Sequence, residues 1–140
     1  MAKQQSKLRL RGVIDQVRDA CAFVINVATK AGLSEDGIFQ CQLSIEEIFT
    51  NIVEHGYQYA GENKSIEIVC EWSDEALLIA IIDEAPPYNP LDASKPDPNT
   101  PLWERDAGGW GIFFVRQYMD DIHYRLLNER NHLFLKKKIS

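Results

Sequence analysis

The sequence predicts an α+β domain in which one sheet is covered by helices on one face. Three observations carry that reading. Two long segments repeat apolar residues at three- and four-residue steps, and two short runs, "SIEIVCEW" and "ALLIAIID", are rich in Ile, Val and Leu with only Ser73-Asp74-Glu75 between them. A second pair of strand-like runs closes the chain. The order β-α-α-β-β-loop-α-β-β fits a single sheet with its helices on one side. At 140 residues the chain has the length of one domain, 1–140, and it contains no internal repeat.

Taken in order, "KLRLR" alternates apolar and charged residues and reads as a short edge strand. From Val13 to Ala31, the positions Val13, Val17, Ala20, Val24, Val27 and Ala28 form one helical stripe, with Gly32 as its stop. Ser34 is a natural N-cap, Glu35 and Asp36 complement the positive end of a helix dipole, and Ile38, Cys41, Ile45, Ile48, Phe49 and Ile52 make the next stripe. This second helix is expected over about 35–55, ending at Gly56. The hairpin 65–72 and 76–83 follows, and its second strand is apolar almost throughout, as a central strand should be. All six prolines then fall between Pro86 and Pro101, so regular structure should fail there. Beyond "GGWG", Ile112, Phe113, Val115, Tyr118 and Met119 predict another amphipathic helix. "DIHYRLLN" and "NHLFLKKKI" predict a closing hairpin turning at Asn128-Glu129-Arg130.

Composition excludes several classes. A net charge of −6, with Lys136-Lys137-Lys138 as the one basic run, argues against direct nucleic-acid binding. Cys21, Cys41 and Cys70 form no CxxC pair and lie among apolar neighbours, the pattern of buried thiols in a reducing compartment. No apolar run reaches the roughly 20 residues needed to span a bilayer, and "MAKQQSKLRLRG" lacks the core of a signal peptide. The expectation is a cytoplasmic chain with no membrane contact.

Candidate chemistry begins in "EEIFTNIVEHG". Glu47, Asn51 and His55 recur every four residues, and each i+4 step turns only about 40° around a helix, so they form one polar strip. Such a strip is either the solvated margin of an amphipathic helix or a site. As a site, its carboxylate and carboxamide divide labour. An amide oxygen is a hard, neutral ligand for magnesium, whereas a free carboxylate accepts a proton or orients a water. His55 continues the strip as a group that caps carbonyls or packs, or as a catalytic one.

The stretch 84–107 is longer than ordinary connections, which makes it a lid, a binding loop or an insertion. It begins after Asp83, at the end of the apolar strand, and finishes in Gly108-Gly109-Trp110-Gly111 before a helix. A glycine-rich turn there exposes backbone N–H groups to an anion such as phosphate.

The order of these features, Glu-x-x-x-Asn on a helix, a strand ending in Asp, a long loop, and GxG opening a helix, resembles that of the GHKL (Bergerat-fold) ATPases. Within that group, "LSIEEIFTNIVEHGY", "IIDEAPPYNP" and "GGWGIFFVRQYMDDIHY" are similar to the Asn, Asp and glycine boxes of the bacterial anti-sigma-factor serine/threonine kinases. The similarity runs from about residue 8 to 138.

That resemblance implies a two-layer sandwich, with one mixed or antiparallel sheet covered by helices on one face, and the cofactors ATP and Mg2+. It makes Glu47 the general base, Asn51 the magnesium ligand and Asp83 the acceptor for the adenine amino group. Gly109 and Gly111 would approach the phosphates, His55 would lie beside the nucleotide, and 84–107 would be the lid. Ala85 takes the base-side position where the superfamily usually has Gly. At the start of the last strand, where many relatives place a Thr that assists adenine recognition, the chain offers Asn131 and His132. The implied partners are a small STAS-type antagonist protein, phosphorylated on Ser or Thr, and a sigma factor, with the kinase as a homodimer. The rival from another class is a non-catalytic nucleotide-binding interaction module, and a free-standing ATP hydrolase ranks last.

Overall fold

A computed structural model describes residues 3–92 and 107–139, with side chains from Gly111 onward in the second stretch. Strand β1 (Gln4–Arg11) leads through a 3₁₀ turn (Ile14–Gln16) into α1 (Val17–Ala31) and α2 (Glu35–Asn51). Strands β2 (Ser65–Trp72) and β3 (Ala76–Asp83) form the expected hairpin. Helix α3 (Ala107–Tyr118) is followed by the closing hairpin β4 (Asp121–Leu127) and β5 (Arg130–Lys138). The strand order is β1-β2-β3-β5-β4, with every neighbour antiparallel.

The local signals work as their chemistry requires. Gly32 ends α1 at φ 96°, a left-handed conformation that costs glycine little, and its N–H reaches the carbonyls of Ala28 and Thr29. Two residues on, the Ser34 hydroxyl accepts from the Gly37 N–H at 3.1 Å and caps α2.

Strand alternation sorts the sheet into two faces. Ile66, Ile68, Cys70, Leu77, Ile79, Ile81, Leu133 and Leu135 are buried on the inner face. Ala20, Val24, Val27 and Ala28 of α1 pack there, with Cys41, Ile45, Ile48 and Phe49 of α2 and Ile112 and Val115 of α3. Each large side chain so buried contributes about 1.5–3 kcal/mol. On the outer face, the Phe134 ring stacks with His123 at 4.8 Å and His132 at 6.0 Å.

Several boundaries differ from expectation. The first helix starts at Val17, not Val13, because the Gly12 N–H is held by the Lys64 carbonyl at 2.9 Å and Val13 stays extended. The second does not run as an α-helix to His55. After Asn51 its hydrogen bonds widen into a π turn, Ile52–Gly56, closed by the Tyr57 N–H on the Ile52 carbonyl at 2.7 Å. Tyr57 is thereby brought to donate its O–H to the Ser65 carbonyl at 2.6 Å and to accept from the Glu84 N–H at 2.8 Å.

The glycines of "GGWG" lie within α3, not in a turn before it, and the helix already begins at Ala107, the last residue of the expected loop. Residues 93–106 of the expected lid lie outside the described residues. Its beginning carries a 3₁₀ turn, Pro90–Asp92, and Arg116 of α3 donates to the Leu91 carbonyl at 2.6 Å.

Cys41 and Cys70 are buried, and burial pushes their thiols up to about 11 and about 12, which makes them poor nucleophiles. Cys21 departs from the expected pattern in being only half-buried.

Candidate functional site

Three pieces of the fold meet around the polar strip. Glu47 and Asn51 lie half-buried on the last turns of α2, while His55, carried by the π turn, is exposed. The Glu47 carboxyl is raised from its ordinary value, chiefly by burial. A hydrogen bond from Asn51 opposes that, the negative charges of Glu54 and Glu46 reinforce it, and His55 pulls it back down. A carboxylate moved toward neutral pH in this way is a better proton acceptor than a solvated one.

The second piece is the start of α3. A Cβ built on Gly111 would lie 1.7 Å from Glu47 Oε1, so the Glu47 side chain occupies the space that any larger residue here would need. Gly111 therefore permits the close approach of α3 to α2 at the carboxylate. Gly109 is the third residue of the same helix. Gly111→Ala is expected to leave the melting temperature nearly unchanged, since the displaced atoms are the free end of a flexible side chain and Ala gains up to about 1 kcal/mol of helix propensity. The cost falls on Glu47, which must swing away. Activity should drop while stability holds, and a matched fall in both would refute this reading of the contact.

The third piece is the end of β3. Asp83 sits in register with Ile66 of β2 and Asn131 of β5 and is only 7% exposed. Its Oδ1 accepts from the Ala85 N–H and from Asn131 Nδ2, both at 2.9 Å. Burial raises the Asp83 carboxyl, and these two hydrogen bonds, Asn131 first, lower it. Among the described residues, Asp83 Oδ2 has no hydrogen-bond partner.

Ala85 is buried, and its φ lies outside the left-handed region, so its backbone does not require Gly. Its methyl faces the π turn, where a Cβ on Gly56 would come within 3.0 Å of it. The loop after β3 thus rests on the π turn that follows the helix carrying Asn51. Glu84 points away to accept from the Ser65 N–H at 2.9 Å, and its carboxyl is lowered by that bond.

The structure thus brings Glu47 against Gly111 and the π turn after α2 against Ala85. Sequence reasoning missed Tyr57, which joins β2 to the loop after Asp83, and Tyr124, whose hydroxyl donates to Asn131. Strand alternation alone could have placed Tyr124 on the inner face. Nothing in "HGYQYA" marks Tyr57.

The family described as the histidine kinase-like ATPase domain matches residues 12–137. The chain belongs to that family. The GHKL resemblance drawn from its three boxes therefore holds. Among curated relatives, the chain is 23% identical over 104 residues to the serine-protein kinase RsbW of Bacillus licheniformis, an alignment covering 71% of this chain and 65% of that protein. It is 24% identical over 135 residues to the serine/threonine-protein kinase BtrW of Bordetella bronchiseptica, covering 96% and 94%. An RsbW of Bacillus cereus is 31% identical over 106 residues, covering 69% and 61%.

The chain thus spans somewhat under two thirds of the RsbW relatives and nearly all of BtrW. A solved structure of the RsbU and RsbW domains of a Mycobacterium tuberculosis protein superposes with a TM-score of 0.67 at 16% identity, covering 96% of this chain and 32% of that one. The nucleotide-free catalytic domain of the histidine kinase ThkA gives 0.51 at 13% identity, covering 95% and 97%. These likenesses establish the two-layer α+β fold of this ATPase group. Among the described residues, no helix is long and apolar enough to cross a membrane.

Proposed function

We propose that this domain is an ATP- and Mg2+-dependent regulatory serine/threonine protein kinase of the anti-sigma-factor type. It phosphorylates a small STAS-type antagonist protein and sequesters a further partner such as a sigma factor, acting as a homodimer in the cytoplasm. The observation that carries this reading is the half-buried Glu47 carboxyl, raised chiefly by burial and one turn from Asn51. Kinship with proteins named serine-protein kinases supports it.

In this reading Glu47 takes the proton of a Ser or Thr hydroxyl as that oxygen attacks the γ-phosphorus, the bond to the β–γ bridging oxygen breaks, and ADP leaves. Asp83 accepts from the adenine amino group. The fit to magnesium rests on donor chemistry: this ion keeps several waters and takes one or two protein oxygens beside nucleotide phosphates, so the Asn51 carboxamide suffices as its protein ligand. Bound there, it would neutralise phosphate charge. Gly109 and Gly111 would approach the phosphates, and His55, exposed on the π turn, would lie beside the nucleotide.

The contact between Gly111 and Glu47 favours a second reading, in which the domain binds nucleotide and a protein without transferring phosphate, because α3 lies against the carboxylate that the acceptor hydroxyl must reach.

Thermal unfolding with ATP, ADP and GTP, with and without magnesium, tests the nucleotide site. A ligand at a hundred times its dissociation constant adds about 2.7 kcal/mol, a shift of several degrees for a domain this size. The wild type should show an adenine-selective shift that needs magnesium, and Asn51→Ala should lose the magnesium dependence. No shift at saturating nucleotide would sink the ATP assignment.

A further inference from the structure

The Asn131 side chain is buried at 6% exposure beside Asp83, and every hydrogen-bonding position on it is used. Its Nδ2 lies 2.9 Å from Asp83 Oδ1, 3.1 Å from the Ala85 carbonyl and 3.2 Å from the Pro86 carbonyl. Its Oδ1 accepts from the Tyr88 N–H at 3.1 Å and from the Tyr124 hydroxyl. A carboxamide has two N–H donors and one two-lone-pair oxygen, so nothing remains with which to touch a ligand. The partners also fix its orientation, since the amide nitrogen meets only acceptors and the oxygen only donors.

We propose that Asn131 is a positioning residue for nucleobase selection. Its amide occupies one oxygen of Asp83 and pins the chain from Ala85 to Tyr88, leaving the other oxygen of Asp83 as the acceptor for an exocyclic amino group. The inference rests on the adenine assignment of Asp83. It separates the two candidates near the start of the last strand: His132 pairs with Ile82, stacks with Phe134 on the outer sheet face and bonds the Arg130 carbonyl, so it does not replace Asn131. A Thr here would have one donor and could not span Asp83 Oδ1 and two loop carbonyls. Asn131 therefore ties base recognition to the first turn of the proline-rich loop, which a hydroxyl alone would leave unlinked.

The test compares ATP with ITP, which carries the same triphosphate but replaces the 6-amino group by a 6-oxo group. Both are titrated against the full chain as wild type, Asn131→Ala, Tyr124→Phe and Asp83→Ala. The wild type should prefer ATP by at least about tenfold, the worth of one hydrogen bond to a charged group. Asn131→Ala should weaken ATP more than ITP and bring the preference within about threefold. Tyr124→Phe removes only one donor from the Asn131 oxygen, so it should cause a smaller fall, and it serves if Asn131→Ala does not fold.

A second readout is the pH profile of the preference. The groups that bear on Asp83 are Asn131 of β5 and the Ala85 N–H by hydrogen bonds, Tyr57 and Tyr124 near it, and, by charge alone, Glu84 pointing toward Ser65 and His132 across the sheet. Without Asn131 the main opposition to burial is lost, so the preference in Asn131→Ala should weaken as pH falls, at a higher pH than in the wild type. A purely packing role would weaken ATP and ITP equally and leave the profile unmoved, which would overturn the proposal. So would an unchanged preference in Asn131→Ala alongside its loss in Asp83→Ala, with base recognition by Asp83 then standing. A wild type indifferent to ATP and ITP would overturn both.

Discussion

Glu47→Gln is expected to slow phosphoryl transfer to a protein acceptor by about 10²–10⁴-fold while nucleotide binding changes little. The two side chains have the same shape, so the α3 contact at Gly111 survives and only the proton acceptor is lost. Labelled transfer from ATP to a candidate antagonist measures the rate, and a thermal shift with ATP measures binding in the same preparation. If Glu47→Gln transfers phosphate at the wild-type rate, Glu47 is not the base. If wild type binds both ATP and acceptor yet transfers nothing, the non-catalytic reading replaces the kinase.

Asp83→Asn should reverse nucleobase choice. The substituted side chain can still accept at one position from the Ala85 N–H and Asn131 Nδ2, but its own amide now faces the base as a donor. A donor confronts the 6-amino group of ATP and matches the 6-oxo group of ITP or GTP. Mismatched buried hydrogen bonds discriminate strongly, so the ATP preference should fall by at least about 100-fold.

The same substitution should stabilise the ligand-free chain at neutral pH. The Asp83 carboxyl is raised from its usual 3.8, so between that value and its folded value the native state binds more protons than the unfolded one. Its contribution is then present at low pH and lost as pH rises through the folded value. Asp83→Asn removes that loss, and its advantage should vanish as pH falls below 3.8. Chemical unfolding across pH, with no nucleotide, checks the sign. A buried carboxylate at this position thus costs ligand-free stability at neutral pH, a cost that the proposed base recognition would account for.

How much of this was legible depended on whether a residue's partners were near in sequence. The strands at 65–72 and 76–83 were written in Ile, Val and Leu, and their bounds held. So did the Ser34 cap, whose bond spans three residues. The start of α1 was misplaced because Gly12 bonds to Lys64, and the end of α2 because Tyr57 answers to Ser65 and Glu84. Glycine normally punctuates a helix, yet "GGWG" lies inside α3, because closeness to Glu47 outweighs propensity at Gly111. Asp83 was visible as an acid ending an apolar strand. Its link to Asn131, 48 residues on, required the register of β3 on β5. Two candidates at that position could not be ranked until strand alternation sent one inward and the other outward.

The placement of β5 between β3 and β4 also makes the Asp83–Asn131 pair depend on the last hairpin of the chain. Asn131 meets Asp83 only where the final hairpin is docked beside β3. A chain that has collapsed around α1, α2 and the central hairpin would lack that pair, and with it the proposed base site. Nucleotide should therefore act as a brake on opening and not as an accelerator of folding: it lowers the unfolding rate and leaves the refolding rate nearly untouched. ATP would then prolong the life of the completed protein without helping to make it.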